Sequence, residues 1–422
     1  MSPRHGGCVD GWVWVRGLAV VPIVAALCTF PQWLHADESS AAPDDTAVPG
    51  GITPTPSPIP RTKEKAKAKS FDEMSLEELL DQEIRAGELG SFGQRLSEYK
   101  LHAEVHGYIS AELKELRMPW FNDDREQVST FDLHHQVVNL RLGMFDRIEA
   151  ESQLEWEHIG KDFYVPLAQI DIKMRDWLIV RSGYFVVPVG VFNEYQYPDV
   201  LRKSGQQPLF TREIVPALWS EVGVQVRGKV RTGASSNLNY AAFVSNGLEQ
   251  AVGEGGSISA MRRHDRDRTN GNKAIGGRLG FAPTLGLDVG VSGYTGAYTA
   301  DGARHLSIWD ADLTWSRGKL LVRLEGALAH QEVTGDTLEK KGGYAFAAYR
   351  VSPSFEPFFW VEGNDLDAGP REQKWGLLFG SVVYPFPERA ENVMLKVEVG
   401  SVRDAGTKTW GGQGLIQLAL GF

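Results

Sequence analysis

The chain has 422 residues, with 44 basic and 54 acidic side chains and a formal net charge of −10. A mean hydropathy of −0.25 and one continuous apolar stretch exclude a polytopic helical membrane protein, which needs repeated apolar runs of about 20 residues. The acidic balance argues against wrapping nucleic acid. The two cysteines, Cys8 and Cys28, are too few for a disulfide scaffold or a cysteine-based zinc cluster.

Residues 1–36 have the features of a secretory signal peptide. Arg4 and Arg16 form a positive first region, and residues 17–30 are mostly apolar but too few to span a bilayer. Ala36 offers a small residue at a cleavage point. We therefore expect export and removal of this segment, and the alternative is an uncleaved inner-membrane anchor.

Two further segments precede the repetitive part of the chain. Residues 37–70 are rich in proline and then in basic side chains, a composition typical of a disordered linker. A solvated tail is the plain interpretation of the basic run, and contact with an anionic polymer is the alternative. In residues 71–100, Ser75 and Glu78 fit a capping box, which predicts a short periplasmic helix.

From residue 101 onward the side chains alternate between apolar and polar. Val105, Ile109 and Leu113 lie on one face of the first such segment, and His106 and Glu112 lie on the other. The pattern predicts sixteen strands, near 103–113, 131–144, 148–158, 167–174, 177–185, 219–230, 238–247, 273–281, 286–298, 304–317, 319–330, 342–350, 354–363, 371–385, 391–402 and 411–422.

The connections between these strands suggest a membrane topology. Those after even-numbered strands are tight, whereas 114–130, 186–218 and 248–272 are long, as in outer-membrane barrels. The chain also ends on Phe422, in phase with the apolar face, which resembles the assembly signal of such barrels. Because every backbone polar group in hydrocarbon must pair, the sheet must close. We therefore predict an all-β fold, a transmembrane antiparallel β-barrel of about 16 strands over 101–422.

Aromatic residues at the turn-side rim support the same topology. Phe281, Trp315, Tyr384 and Phe422 fall close to the predicted turns. Each could be an isolated surface residue, but together they fit an aromatic girdle at the membrane–water interface.

The long segment 186–218 carries more aromatic residues and prolines than a solvated loop needs. We expect it to fold into the lumen and narrow it, with charges of both signs across the opening. Any one charged residue could simply belong to the wet face of a barrel. The candidate pore-lining and constriction residues are Arg141, Lys173, Arg181, Glu194, Arg202, Lys203, Arg212, Glu221, Arg227 and Arg323.

One stretch resembles a known family. Residues 181–185, Pro188, Gly190, Trp219 and the run 223–228 are similar to the phosphate-selective porin O and P family, and the resemblance extends over 103–422. It implies a sixteen-stranded porin, a homotrimer, that passes anions such as phosphate or oligophosphate. The sequence shows no dense ladder of inward Arg and Lys, so general diffusion is the alternative to phosphate selectivity.

Catalytic and metal motifs are not evident. No nucleophile motif is found. His134 and His135 are adjacent in a predicted strand, so we expect them to point to opposite faces. His102 and His106 would lie about 13 Å apart at roughly 3.3 Å per residue, too far to share a metal. We predict no enzymatic activity, metal or cofactor.

These observations favour an outer-membrane porin for passive diffusion. The expected partners are outer-membrane lipid, small hydrophilic solutes or ions, and two further copies in a homotrimer, with no nucleic acid. One alternative is a barrel that anchors the N-terminal segment to the envelope. Another is a transporter gated by a partner, which the lack of room for a plug domain before residue 101 disfavours.

Overall fold

The computed structural model describes residues 101–117, 127–158, 162–250, 256–262, 271–367 and 373–422. The predicted signal peptide, linker and N-terminal helix lie outside these residues. Among the described residues, none of the helices combines the length and apolarity needed to cross a bilayer.

Sixteen antiparallel strands form one closed barrel, which confirms the predicted fold class. Each strand pairs with its neighbours in sequence, and β1 pairs with β16 to close the cylinder. The strands are β1 (His102–Arg117), β2 (Gln127–Met144), β3 (Ile148–Glu157), β4 (Asp162–Arg175), β5 (Leu178–Val186), β6 (Ser220–Arg231), β7 (Asn237–Ser245), β8 (Ala274–Thr284), β9 (Leu287–Ala297), β10 (His305–Arg317), β11 (Leu320–Val333), β12 (Asp336–Tyr349), β13 (Phe355–Asp365), β14 (Gln373–Val383), β15 (Val393–Asp404) and β16 (Trp410–Gly421).

The alternating side chains divide into an outer and an inner face. On β10, Trp309 is 61% exposed on the outside, whereas its neighbours Asp310 and Asp312 are buried inside. Val224 and Leu418 on other strands are likewise exposed. This outer apolar belt is the surface that a barrel presents to lipid, since successive strand residues face opposite sides.

The connections follow the predicted division in the first half of the barrel. Residues 176–177 join β4 to β5, while the connections 187–219 and 246–273 follow odd-numbered strands and are long. In the second half the division fails, because only Thr334 and Gly335 join β11 to β12. Gly335 has a φ of 79°, a conformation that glycine adopts without a steric penalty and that suits a tight hairpin.

Three of the four residues predicted for an aromatic girdle face outward, as that prediction requires. Phe281, Trp315 and Phe422 are exposed on the outside. Tyr384 is instead only 2% exposed and donates a hydrogen bond to Glu356 Oε2 at 2.6 Å. Tyr384 lies two residues after Val382, which faces inward on β14, and alternate residues of a strand face the same side. The Tyr384 ring therefore points into the barrel.

A hydrophobic core lies inside the barrel. Trp219 packs edge-on against Tyr294 of β9, with the ring centroids 4.8 Å apart. Phe210 lies beside Tyr344 of β12, which in turn contacts Trp360 of β13. The apolar side chains of the long connections thus fill part of an interior that sixteen strands alone would leave open.

Candidate functional site

The connection 187–219, called the constriction loop below, folds into the lumen as expected. Its ends are joined by a hydrogen bond from Val187 N to Trp219 O of 2.9 Å. Between them lie a π-helical turn, Phe192–Gln196, and a short helix α1, Leu209–Glu213. Gly190, with a φ of 77°, lets the chain turn before Phe192–Gln196.

Three glutamates of the wall hold the backbone of the constriction loop. They lie on alternate strands, β11, β13 and β15, and each accepts hydrogen bonds from loop N–H groups. These hydrogen bonds give partners to backbone N–H groups that would otherwise be buried without one. They run from Phe192 N to Glu325 Oε2 (3.1 Å), from Leu209 N to Glu362 Oε2 (2.7 Å) and from Gln206 N to Glu398 Oε1 (3.1 Å).

Asp199 lies at the centre of the loop and is fully buried. Its carboxylate contacts Arg202 and Ser110, and it lies 3.0 Å from His135 Nδ1 and 3.3 Å from His134 Nδ1. Burial alone would raise the pKa of Asp199, but the charges of Arg202 and His135 hold it well below its usual range. The carboxylate is therefore ionised wherever the protein functions near neutral pH.

His134 and His135 both face the lumen, so the expectation that they point to opposite faces is wrong. The register shifts from Ser110 opposite His135 to Glu112 opposite Asp132, which leaves an extra residue on β2. A β-bulge of this kind breaks the alternation. The two imidazole rings consequently lie side by side, with centroids 3.8 Å apart.

A cavity of about 1260 Å³ lies beside the constriction loop. Its wall combines apolar side chains with charged side chains of both signs. The charged and titratable side chains that line it include His135, Glu155, Glu157, Glu221, Arg262 and Lys273. Mixed charges around an opening set a local field that acts on ions according to their sign.

The predicted basic residues of β2, β4 and β5 are paired with carboxylates. Arg141 lies 3.2 Å from Glu149 and 3.3 Å from Glu151. Lys173 lies 3.1 Å from Asp176, and Arg181 binds both oxygens of Asp171 at 2.7 and 2.8 Å. Their positive charge is therefore largely compensated within the wall.

The predicted residues of the constriction loop serve mainly to hold it. Arg202 donates to Tyr197 O at 2.9 Å and Gly205 O at 3.1 Å as well as contacting Asp199. Lys203 Nζ lies 3.1 Å from Glu356 Oε2. Arg212 donates to Gln206 at 2.9 Å. Glu194 faces Arg278 at 3.7 Å.

The remaining three predicted residues divide into two kinds. Glu221 is buried and accepts hydrogen bonds from Trp219 Nε1 and Gly247 N, both at 2.8 Å, so it fixes the end of the loop. Arg227 and Arg323 are half-buried in the wall and have no ion pair among the described residues. Their positive charge is therefore not compensated by an ion pair within that part of the chain.

Several residues of the site were not among the predicted ones, notably His135, Glu155, Glu157, Glu362 and Glu398. The alternation of polar and apolar side chains along each strand does place these residues on the inner face. The contacts with a loop dozens of residues away carry no sequence signal.

Comparisons with known proteins support the fold. No family model matches the chain. An uncharacterized protein of Aquifex aeolicus (strain VF5) is 24% identical over 254 residues, covering 57% of this chain and 56% of its own. The chain thus spans about half the length of that relative.

Among solved structures, the chain is similar to three outer-membrane proteins. The anion-selective porin from Comamonas acidovorans has a TM-score of 0.56 at 11% identity, covering 76% of this chain and all of its own. The outer membrane channel DcaP of Acinetobacter baumannii has a TM-score of 0.53 at 8% identity, with 76% and 97% covered. OmpT of Vibrio cholerae, in its trimer form, has a TM-score of 0.50 at 12% identity, with 76% and 99% covered. The fold is thus that of the sixteen-stranded outer-membrane porins.

Proposed function

We propose that this protein is an outer-membrane porin through which small hydrophilic solutes diffuse passively, without catalysis. The observation that carries the proposal is the cavity of about 1260 Å³ beside the constriction loop, whose wall carries charged side chains of both signs. The outer apolar belt provides the surface for outer-membrane lipid. The signal peptide predicted over residues 1–36 would supply the export that this location requires.

The constriction loop would act as the size filter. It contacts β11, β13 and β15 as well as β1 and β2, so it crosses the lumen rather than lining one side. A solute would pass through the cavity beside the loop, which is lined by Glu157, Arg262 and Lys273 among others. The filter is narrow because the apolar side of the loop is packed against the opposite wall.

The ion preference would be a modest one for anions. Arg141, Lys173 and Arg181 are compensated by carboxylates, which does not favour a phosphate specialist with a ladder of free cations. Arg227 and Arg323, without ion pairs among the described residues, would attract anions into the barrel. The Comamonas neighbour is described as anion-selective, which agrees with this proposal.

Reversal potentials in a potassium chloride gradient test the preference. The refolded wild type should be anion-selective, and Arg227→Gln with Arg323→Gln should move the reversal potential toward zero. A matched double variant, Arg117→Gln with Lys319→Gln, removes two charges at the barrel ends and should change little. Cation selectivity of the wild type would overturn the anion preference while leaving the channel proposal standing.

We further propose a homotrimer, since the Vibrio neighbour is described in a trimer form. Light scattering of the detergent-solubilised protein, corrected for bound detergent, should give three chains per particle. A single chain per particle would overturn this part of the proposal.

The packed interior favours a second candidate function, in which the barrel anchors residues 37–100 to the envelope and lets few solutes through. The observation is the hydrophobic core inside the lumen, which includes Phe210 and Trp219 of the loop. In that case small sugars would not swell liposomes that contain the protein. For the porin, swelling should occur and should fall with increasing solute size.

A further inference from the structure

We propose that His135, Glu155 and Glu157 form a binding site for one divalent transition-metal ion, with Zn²⁺ as the best fit, in the wall of the cavity. The site joins β2 to β3 beneath the constriction loop. It goes beyond diffusion of solutes, because it gives this porin a resident or regulatory cation.

The three ligand atoms already have a suitable spacing. His135 Nε2 lies 3.1 Å from Glu157 Oε1 and 3.5 Å from Glu155 Oε1, and the three ligand atoms lie within 4.8 Å of one another. In a tetrahedral zinc site with bonds of about 2.0–2.1 Å, ligand atoms lie roughly 3.3 Å apart. An ion could therefore enter with small movements of the side chains.

A buried oxygen in the cluster lacks a partner. Glu155 is 2% exposed, and its Oε1 has no hydrogen-bond donor among the described residues. Its other oxygen accepts a hydrogen bond from Gln153 Nε2 at 3.2 Å. Burying an unsatisfied carboxylate oxygen is costly, and a bound cation would remove that cost.

Asp199 prepares His135 to bind a metal. Because a carboxylate can only accept, the contact of 3.0 Å places the Nδ1 proton of His135 toward Asp199. Nε2 lies on the opposite side of the ring, 3.1 Å from Glu157 Oε1, and the ion would bind there in place of an Nε2 proton that is directed at Glu157. Carboxylate–histidine–metal arrangements of this kind recur in metal sites and fix the ring orientation.

The other cluster nearby is less suitable. His134, His135 and Asp199 also lie within ligand distance of one another. However, Asp199 already contacts Arg202 and Ser110, and a cation there would sit beside the Arg202 guanidinium. Glu155 and Glu157 have no such competing cation, and together they would balance the charge of a divalent ion.

The remaining coordination position would face the cavity. Glu157 and Tyr197 line the cavity. The Tyr197 hydroxyl lies 3.3 Å from His135 Nε2 and 3.4 Å from Glu157 Oε1. Either water from the cavity or the Tyr197 hydroxyl could complete the tetrahedron. The cavity also provides the path by which the ion enters.

Without metal, a second proton on His135 would satisfy the same carboxylates, so the experiment must distinguish the two. Full-chain protein, refolded in detergent, is incubated with zinc chloride, dialysed and analysed for metal by mass spectrometry. We expect one Zn²⁺ per chain in the wild type and at least a tenfold loss of affinity in Glu155→Gln with Glu157→Gln. Wild type that retains no zinc would overturn the proposal.

A matched control excludes general attraction of cations to an acidic lumen. Glu149→Gln with Glu151→Gln removes the same charge from the same face of β3 and should retain the zinc. Equal losses in both double variants would overturn the site.

A measurement on the wild type alone keeps the proposal testable if the variants misfold. Cobalt(II) in place of zinc should give the intense visible absorption of a tetrahedral complex with nitrogen and oxygen ligands. Only the weak spectrum of hydrated octahedral cobalt would contradict the assignment. Neither measurement depends on transport, so the site can fail or stand independently of the porin proposal.

Discussion

His135 Nδ1 lies 3.0 Å from Asp199 Oδ2, which joins strand β2 of the wall to the constriction loop. Arg202 and Ser110 contact the same carboxylate, and Lys396 Nζ of β15 donates to the Asp199 carbonyl at 2.6 Å. Asp199 therefore connects the loop to both sides of the barrel seam, where β1 meets β16.

Replacement of Asp199 by Asn should loosen the loop without opening the barrel. The change leaves Arg202 buried without its counter-ion, and breaking a buried ion pair costs about 3–5 kcal/mol. Hydrogen exchange of peptides from 187–219 should increase strongly, while exchange of the strands stays low. Asp176→Asn, at an exposed ion pair with Lys173, is the control and should leave the loop unchanged. Unchanged exchange in D199N would show that Asp199 does not hold the loop.

The same contact predicts a response to acid. The pKa of Asp199 lies well below its usual range, since Arg202 and His135 outweigh the effect of burial. Its stabilising contribution is then fully present above the unfolded pKa of about 4 and is lost as the pH falls through the lower folded pKa.

Exchange of the 187–219 peptides, corrected for its intrinsic pH dependence, should stay constant from pH 8 to 5 and rise only below about pH 4. The groups that face Asp199 are Arg202, His134, His135 and Lys396. In D199N the acid-induced rise should be absent. Release of the loop between pH 5 and 7 would contradict this assignment.

Gly190 should be required where the constriction loop enters the lumen. Its φ of 77° is unfavourable for other residues, and an added Cβ would lie 2.7 Å from Glu325 Oε1 and 3.1 Å from Val215 Cγ1. Gly190→Ala should therefore destabilise the seated loop by about 1–3 kcal/mol. Hydrogen exchange of the 187–219 peptides should increase accordingly. Gly318 also has a positive φ, but a Cβ added there would meet no atom within 4 Å. Gly318→Ala therefore separates the effect of the contact from the effect of the backbone conformation. Equal exchange in both variants would mean that the Glu325 contact is unimportant.

Phe210 should hold the apolar side of the loop against β12. Its side chain is fully buried and lies beside the ring of Tyr344. Phe210→Ala should destabilise the seated loop by about 3–5 kcal/mol through the cavity that it leaves. In planar bilayers we expect larger and noisier conductance steps. Phe386→Ala, in an exposed turn, should match the wild type. Wild-type steps in F210A would argue against a packed loop that sets the channel width.

The sequence was sufficient to predict the barrel because the alternation is strong and every strand has two distinct environments. Strand β10 illustrates this, since Trp309 faces out and Asp310 faces in. The inward fold of the long loop was also predictable from its aromatic residues. Both signals are local and arise from the side chains themselves.

The details of the site could not be predicted, since they depend on distant contacts. A one-residue bulge near His134 changes which side chains face the lumen, and the sequence around it still alternates plausibly. The hydrogen bond from Gln206 N to Glu398 joins residues 192 positions apart. Such long-range contacts determine whether an inward-facing carboxylate lines the path of a solute or holds the constriction loop in place. The same uncertainty applies to the predicted cations, most of which are neutralised by partners that periodicity cannot identify.

Single-channel conductance of the wild type and of a variant with a shortened constriction loop tests the central claim most directly. In the variant, residues 198–206 would be replaced by a short Gly-Ser linker, which removes Asp199 and Arg202 together. We predict discrete conductance steps for the wild type and larger steps for the variant, because the loop narrows a water-filled barrel. Absence of steps from both refolded proteins, or steps of equal size, would contradict the account.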